Sequence, residues 1–424
     1  MQSFQKIISA LRSNALASNI FSLSILQAAN YLLPLITLPY LVRVLGPEYF
    51  GLIAFATATI TYFILITDYG FNISATRQIS IHRENLTKVS QIYSSVISIK
   101  LFLLFLSFVM LCLLILSIEK FSINAEVYFF TFTLVIGNCL FPVWVFQGLE
   151  EMHHITFLNV CSKLFFTVLV FLIVKEQSDY LFVPLLTGLG YILSGIWSLI
   201  LIRGKYGINF SLQPISSIIF QLKEGYHVFF STIIISFYTV SATFVLGIFT
   251  NNSTVGFFAA ADRIIQAGKS IYTPIAQAIF PFISKKFEES KSKGMEFIFK
   301  ASKWAGLLML IISCCIFIFA EQIVLLVLGQ EYISSILLVK IMSFLPVIIS
   351  QSNIFGIQAM LNLGYGKEFL FFVSITALLG FVLGIFIIPL YSANGVAIIL
   401  LLIELFITIM LAQYVIRKFN RGDL

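Results

Sequence analysis

The sequence predicts an all-α polytopic membrane protein. About twelve transmembrane helices are expected, in two six-helix bundles around a central cavity, related by a parallel pseudo-two-fold axis along the membrane normal. Three observations predict it. The chain is 59% hydrophobic and only 11% charged, with a mean hydropathy of +1.00, whereas a soluble domain carries about 25% charged residues. Its apolar residues fall in continuous runs near the ~20 residues of a spanning helix, not in the alternation of a barrel strand. Only those two structures satisfy the backbone within lipid. Finally, short motifs recur after a little over 200 positions, so the chain reads as a doubled unit.

The elements follow in order. In the opening stretch "MQSFQKIISALRSNALASN", Phe4, Ile7, Ile8 and Leu11 form an i, i+3, i+4, i+7 stripe. That is the pattern of an amphipathic helix lying in the membrane interface. The stretch lacks the continuous apolar core and cleavage site of a signal peptide. The first span, 18–42, lines Gln27, Asn30, Pro34 and Thr37 along one side. The second, 49–80, is longer than the bilayer requires and carries Thr57, Thr61 and Asp68 at i, i+4 and i+11. Its polar tail, "TDYGFNISATRQIS", holds no proline to stop it. Arg77 lies there, about 13 Å beyond Asp68 at 1.5 Å per residue.

The third span, 89–117, contains Lys100, and the fourth, 126–149, ends near Gln147. The fifth, 155–174, places Asn159, Lys163 and Thr167 on one face at i, i+4 and i+8. The sixth covers 180–202, and "RGKYGINFSLQPISS" (203–217) reads as a linker. Ile215, Ile218, Ile219 and Leu222 then repeat the opening stripe as a second interfacial helix before the seventh span, 224–250. The eighth, 255–283, opens with "VGFFAAA" as the second opens with "FGLIAFA". It sets Asp262, Gln266 and Lys269 on one face, with Arg263 beside them. The ninth is 297–320, and the tenth, 334–361, holds Lys340 and a Gln358 that matches Gln147. The eleventh and twelfth are 369–389 and 394–416, the last containing Glu404. Two domains are therefore expected: 1–206, an N-terminal six-helix lobe with its amphipathic N-terminal segment, and 207–424, a C-terminal six-helix lobe with an amphipathic linker at its start.

Basic residues predict the orientation. With the N-terminus in the cytoplasm, inside segments collect Lys6, Arg12, Arg77, Arg83, Lys88, Lys205, Lys285, Lys286, Arg417 and most others, while Arg43, Lys120 and Lys175 fall outside. Both termini are thus expected in the cytoplasm. The net charge of +7 is a topology signal and not a nucleic-acid footprint.

Charges within the spans point to function. Asp68, Lys100, Lys163, Asp262, Arg263, Lys269, Lys340 and Glu404 would each cost about 2.5–3.5 kcal/mol at the bilayer centre, roughly 20–28 kcal/mol together. Net folding stabilities are only ~5–15 kcal/mol. Snorkelling relieves charges nearest an interface, Lys100 and Lys163 being the candidates; the others must face water or one another. A wet cavity is expected, with Arg43 and Arg77 near its mouths. Five cations against three acids give it positive sign, which favours an anionic guest. Lys100, Lys163, Arg263, Lys269, Lys340, Arg43 and Arg77 are the candidate contacts to such a guest. Asn30, Asn159 and Tyr238 are candidate sugar contacts. Asp68, Asp262 and Glu404 are the candidate carriers of a coupling ion. The competing reading is pairs that merely hold helices together, such as Asp262 with Lys269.

Enzyme signatures are poor. No Gly-rich loop ends in GK[ST], so direct ATP coupling is not expected, and no HExxH cluster appears. His153 and His154 adjoin Glu150 and Glu151 in a short loop that reads as a solvated turn. Cys112, Cys139, Cys161, Cys314 and Cys315 lie in apolar runs without a CxxC pair and read as small buried hydrophobes. No cofactor or metal is expected.

The stretch "LLPLITLPYLVRVLGPEYFGLIAFATATITYFILITDYGFNISATRQIS" (32–80) resembles the N-terminal signature of O-antigen flippases of the Wzx type. "FPVWVFQGLEEMHHITFLNV" (141–160) resembles their fourth-to-fifth helix segment. These belong to the multidrug, oligosaccharidyl-lipid and polysaccharide exporter superfamily. The resemblance implies two lobes around a central cavity in a bacterial inner membrane. It implies alternating access, driven by an ion gradient, that moves an undecaprenyl-pyrophosphate-linked oligosaccharide from the cytoplasmic to the periplasmic leaflet. Membrane lipids and other polysaccharide-assembly membrane proteins are the remaining candidate partners. Two alternatives stay open: another exporter of the superfamily, for drugs or the peptidoglycan precursor, and a membrane glycan polymerase or transferase.

Overall fold

A computed structural model describes the backbone of residues 2–420, with side chains except those of 2–26, 28, 31, 32, 231 and 234–240. The stripe of Phe4, Ile7, Ile8 and Leu11, and the side chains of Lys6, Arg12 and Tyr238, lie outside the described residues, as does Arg421. Among the described residues the chain is helical, with no strand. Eight helices among the described residues are long and apolar enough, by length and composition, to cross a membrane. Two of these, Leu33–His82 and Gly366–Asn420, are 50 and 55 residues long. At 1.5 Å per residue each is more than twice a ~30 Å hydrocarbon core. Both are interrupted. Gly46 (φ 67°) divides the expected first and second spans, and Ser392 (φ 50°) the eleventh and twelfth.

Several expected helices are broken. The second span does not run unbroken to residue 80. Its helix ends at Asp68, Tyr69 and Gly70 take left-handed φ values of 44° and 73°, and a new helix begins at Phe71. No proline is needed, because glycine adopts that conformation without a Cβ clash. The fourth span breaks at Phe141–Pro142, between Ala125–Leu140 and Val143–Gly148. Pro142 cannot donate to the helical ladder. The tenth divides into Ser335–Met342, Leu345–Asn353 with Pro346 in its first turn, and a π-helical turn, Ile354–Met360.

The second amphipathic stripe also departs from expectation. It is not a separate interfacial helix but the first two turns of the continuous helix Ile215–Phe249. Ile218 and Leu222 pack on the protein core, while Ile215 and Ile219 remain exposed. The stripe is therefore shared between protein and surroundings.

Residue contacts divide the chain into two compact units: Met1–Tyr40 with Ala56–Ile233, and Leu41–Phe55 with Ile234–Leu424. In the first, Phe71, Ile79, Val96, Trp144, Phe146 and Ile202 form a buried core. Helix Ala125–Leu140 packs closely on Phe182–Gly204. A Cβ on Gly137 would come within 2.5 Å of Tyr191, and one on Gly188 within 1.8 Å of Thr133. Close approach over small residues replaces the hydrophobic driving force that lipid cannot supply. In the second unit, Tyr272, Ile283, Met295, Met309, Ile354 and Leu411 form the core. There the segment 47–55 lies against Asn252–Ser270. Large apolar side chains such as Phe102, Phe105, Leu116, Trp304 and Phe386 point outward, as a lipid-facing surface requires.

Candidate functional site

The break at Tyr69–Gly70 sets Asp68 at a helix C-terminus inside the first unit. Helix Leu86–Ser117 brings Lys100 to it. Lys100 is only 1% exposed, and its Nζ donates to Asp68 Oδ1 at 3.1 Å and to the Asn138 carbonyl at 3.5 Å. Asn72, one turn beyond the break, donates its Nδ2 to Asp68 Oδ2. The Asp68 side chain is 22% exposed, so the pair has one sealed and one accessible partner. Buried Asn138 Oδ1 faces no donor among the described residues.

This arrangement overturns the snorkelling expectation for Lys100. An ammonium held by a carboxylate and a backbone carbonyl has no need to reach the interface. Such a pair is costly to desolvate, and losing one partner leaves an uncompensated charge. Discontinuous helices whose ends carry polar groups are how membrane transporters build ion and substrate sites.

In the same unit, Lys163 donates to Asn30 Oδ1, joining the polar faces of the first and fifth spans. Asn159 donates instead to the Ile155 carbonyl in its own helix. Arg77 is exposed beyond the break. Thr76, its neighbour, donates to Gln147 Oε1 at 3.3 Å.

In the second unit the predicted residues gather less. Asp262 accepts from Gln266 Nε2 at 2.6 Å. No ion pair joins it to Lys269, so that structural pairing is absent among the described residues. Arg263 is exposed, while Lys269, Lys340 and Glu404 are half-buried. Arg43 donates to the Leu326 carbonyl and packs beside Gly329, so it anchors the end of the helix that precedes that glycine.

A polar group unforeseen from sequence surrounds the π-helical turn. Gln358 Nε2 donates to the Ala276 carbonyl at 3.0 Å, Tyr272 to Asn353 Oδ1 at 3.2 Å, and Ser302 to Gln351 Oε1 at 2.5 Å. Asn72 and Asn138 were missed as well. The i, i+4 spacing of Asp68 and Asn72 signals the first; nothing local signals the second.

The loop cluster does assemble ligand atoms: those of Glu151, His153 and His154 lie within 4.8 Å of one another. Yet Lys205 Nζ sits 3.1 Å from His154 Nε2 and 3.9 Å from a Glu151 carboxylate oxygen. The Lys205 ammonium thus engages two of the three groups.

Comparison with known proteins adds to this geometry. A family model described as "Polysaccharide biosynthesis protein" matches residues 16–287. A protein of Escherichia coli (strain K12) named "Putative O-antigen transporter" is 33% identical over 401 residues, covering 95% of this chain and 97% of that one. A namesake in Shigella dysenteriae is 29% identical over 403 residues, covering 94% and 99%. Among solved structures, an inward-facing multidrug resistance MATE family transporter of the MOP superfamily superposes with a TM-score of 0.73 at 16% identity, covering 95% of this chain and 98% of that chain. The lipid II flippase MurJ, in an inward closed conformation, gives 0.64 at 14% identity, covering 92% and 87%. The helical fold is therefore that of these transporters.

Proposed function

The chain belongs to the polysaccharide biosynthesis protein family, and from that premise we propose that it is a flippase for lipid-linked polysaccharide units. It acts as a multi-pass membrane transporter and not as an enzyme. Its cargo is an undecaprenyl-pyrophosphate-linked O-antigen repeat unit, moved from the cytoplasmic to the periplasmic leaflet of a bacterial inner membrane by alternating access. Both termini lie in the cytoplasm, and the lobes 1–206 and 207–424 flank the translocation path. The names of the two curated relatives support the substrate class.

The observation that carries the reading is the Lys100–Asp68 pair at the helix break. A sealed ammonium beside a partly exposed carboxylate suits a site that exchanges a proton or cation during a transport cycle. Protonating Asp68 would leave Lys100 without its counter-charge and favour a different local packing, so an ion gradient can drive the step. Asp262 and Glu404 are further carrier candidates. Lys163, Arg263, Lys269, Lys340, Arg43 and Arg77 supply positive charge for the pyrophosphate. Asn30 and Asn159 supply hydrogen bonds for sugars.

The test is to locate the lipid-linked unit by leaflet in cells carrying Lys269→Ala or Arg263→Ala. Accumulation on the cytoplasmic leaflet is expected. Normal delivery outside with failed chain growth would instead indicate a polymerase. In vesicles, flux that persists unchanged after the pH gradient is collapsed would remove proton coupling.

A further inference from the structure

A second polar site lies in the first unit, away from Asp68. A cleft of about 250 Å³ opens between the helix Phe71–His82, the start of Leu86–Ser117 and the first turns of Ile215–Phe249. Lys88, Ser216 and Ser217 line it, and no carboxylate does. Lys88 makes no ion pair among the described residues.

Two glutamines sit against the cleft. Gln221, only 4% exposed, donates its Nε2 to Gln78 Oε1 at 2.8 Å. That leaves Gln221 Oε1 and Gln78 Nε2 buried without partners among the described residues. Turning both amides over exchanges the roles but still leaves one donor and one acceptor. Unsatisfied buried polar groups are costly, and a pair that needs both an acceptor and a donor suits a hydroxyl. The lysine and serines suit a phosphate. The surroundings are apolar: Phe220 lines the cleft and is 54% exposed, and Ile81, Leu86, Leu212 and Ile215 are each more than half exposed. A polar cleft bordered by outward-facing apolar side chains matches the boundary between headgroups and acyl chains.

We propose that this cleft binds the phosphoglycerol headgroup of an anionic phospholipid from the surrounding bilayer. Phosphate meets Lys88 and the serine hydroxyls, and the glycerol hydroxyls satisfy the glutamine pair. Under the orientation proposed above, the lipid comes from the cytoplasmic leaflet. The cleft includes none of the residues assigned above to cargo or coupling ion, and the proposal does not depend on the identity of the cargo.

The test uses the full-length protein in phosphatidylcholine vesicles that contain a minor fraction of phosphatidylglycerol, with quantification of the lipid retained after extraction. Phosphatidylglycerol is expected to be enriched over its bulk fraction. Lys88→Gln, at an exposed position that leaves the fold intact, is expected to reduce enrichment about fivefold. Gln221→Leu is expected to reduce it as well; should that variant fail to fold, Lys88→Gln decides alone. Equal retention by wild type and Lys88→Gln would overturn the proposal. So would saturable binding of soluble glycerol 3-phosphate without any enrichment of phosphatidylglycerol, which would identify the ligand as a free phosphate and not a membrane lipid.

Discussion

Gly51 and Gly256 meet at a point where neither can carry a side chain. A Cβ on Gly51 would fall 1.8 Å from the Asn252 carbonyl oxygen and 2.5 Å from the Gly256 nitrogen; one on Gly256 would fall 2.0 Å from the Pro47 carbonyl oxygen. The two glycines occupy the same place in the related strings "FGLIAFA" and "VGFFAAA".

The obstacles at this crossing are backbone atoms, which cannot rotate away. Gly51→Ala and Gly256→Ala are each expected to destabilise the protein by about 1–3 kcal/mol, as overpacking does. The double variant should lose less than the sum, because one separation of the helices relieves both clashes. Thermal unfolding in detergent checks this, and additive losses would refute a shared contact.

Asp68→Asn leaves Lys100 buried beside a neutral partner. Breaking a buried pair on one side costs about 3–5 kcal/mol. Replacing both residues, as Asp68→Leu with Lys100→Met, is expected to restore much of that stability while transport stays lost. Melting temperatures together with leaflet assays would separate the two effects. Recovery of transport in the double variant would reduce the pair to a structural tie.

Lys163 and Asn30 join the first and fifth spans through one hydrogen bond. Lys163→Met is expected to reduce flux of the lipid-linked unit by about tenfold or more, if the ammonium also meets the pyrophosphate, since hydrogen bonds to charged groups contribute ~1.5–3 kcal/mol. Asn30→Ala, which keeps the charge, should reduce it less. Equal losses would assign the lysine to helix packing alone.

Outside the spans, Glu289 accepts from Lys286 at 2.9 Å and from Lys293 at 3.4 Å. The Lys286 hydrogen bond, then that of Lys293, holds its carboxyl below the ordinary value of 4.5. A carboxylate whose pKa is depressed by folding stabilises the folded state above its unfolded pKa, and this is lost as pH falls through the folded value. The difference in melting temperature between wild type and Glu289→Gln should therefore be small at neutral pH, shrink as the pH falls below 4.5, and shrink with added salt.

The fold class is legible in the sequence because hydropathy and run length report directly on the solvent. The breaks are only partly so. Pro142 and Gly70 stand in plain view, but a glycine inside an apolar run is also a packing residue, and only the three-dimensional path tells which. Ser392 carries no such mark. Pairs within one helix, such as Asp262 with Gln266, follow from spacing. Lys100 with Asp68 does not, because the partners lie 32 positions apart on different helices. Counting charges shows that Lys100 needs relief but not which relief it finds. The glutamine pair of Gln78 and Gln221, separated by 143 positions, is hidden for the same reason.

The five cysteines are all free thiols; Cys139 is buried, whereas Cys161 and Cys315 are exposed. A polar alkylating reagent does not partition into hydrocarbon, so a sulfur facing the acyl layer is out of its reach. In an intact bilayer these two positions should resist maleimide and become reactive on transfer to harsh detergent. The same chain thus carries its own reporter of whether a purified sample still wears a lipid coat.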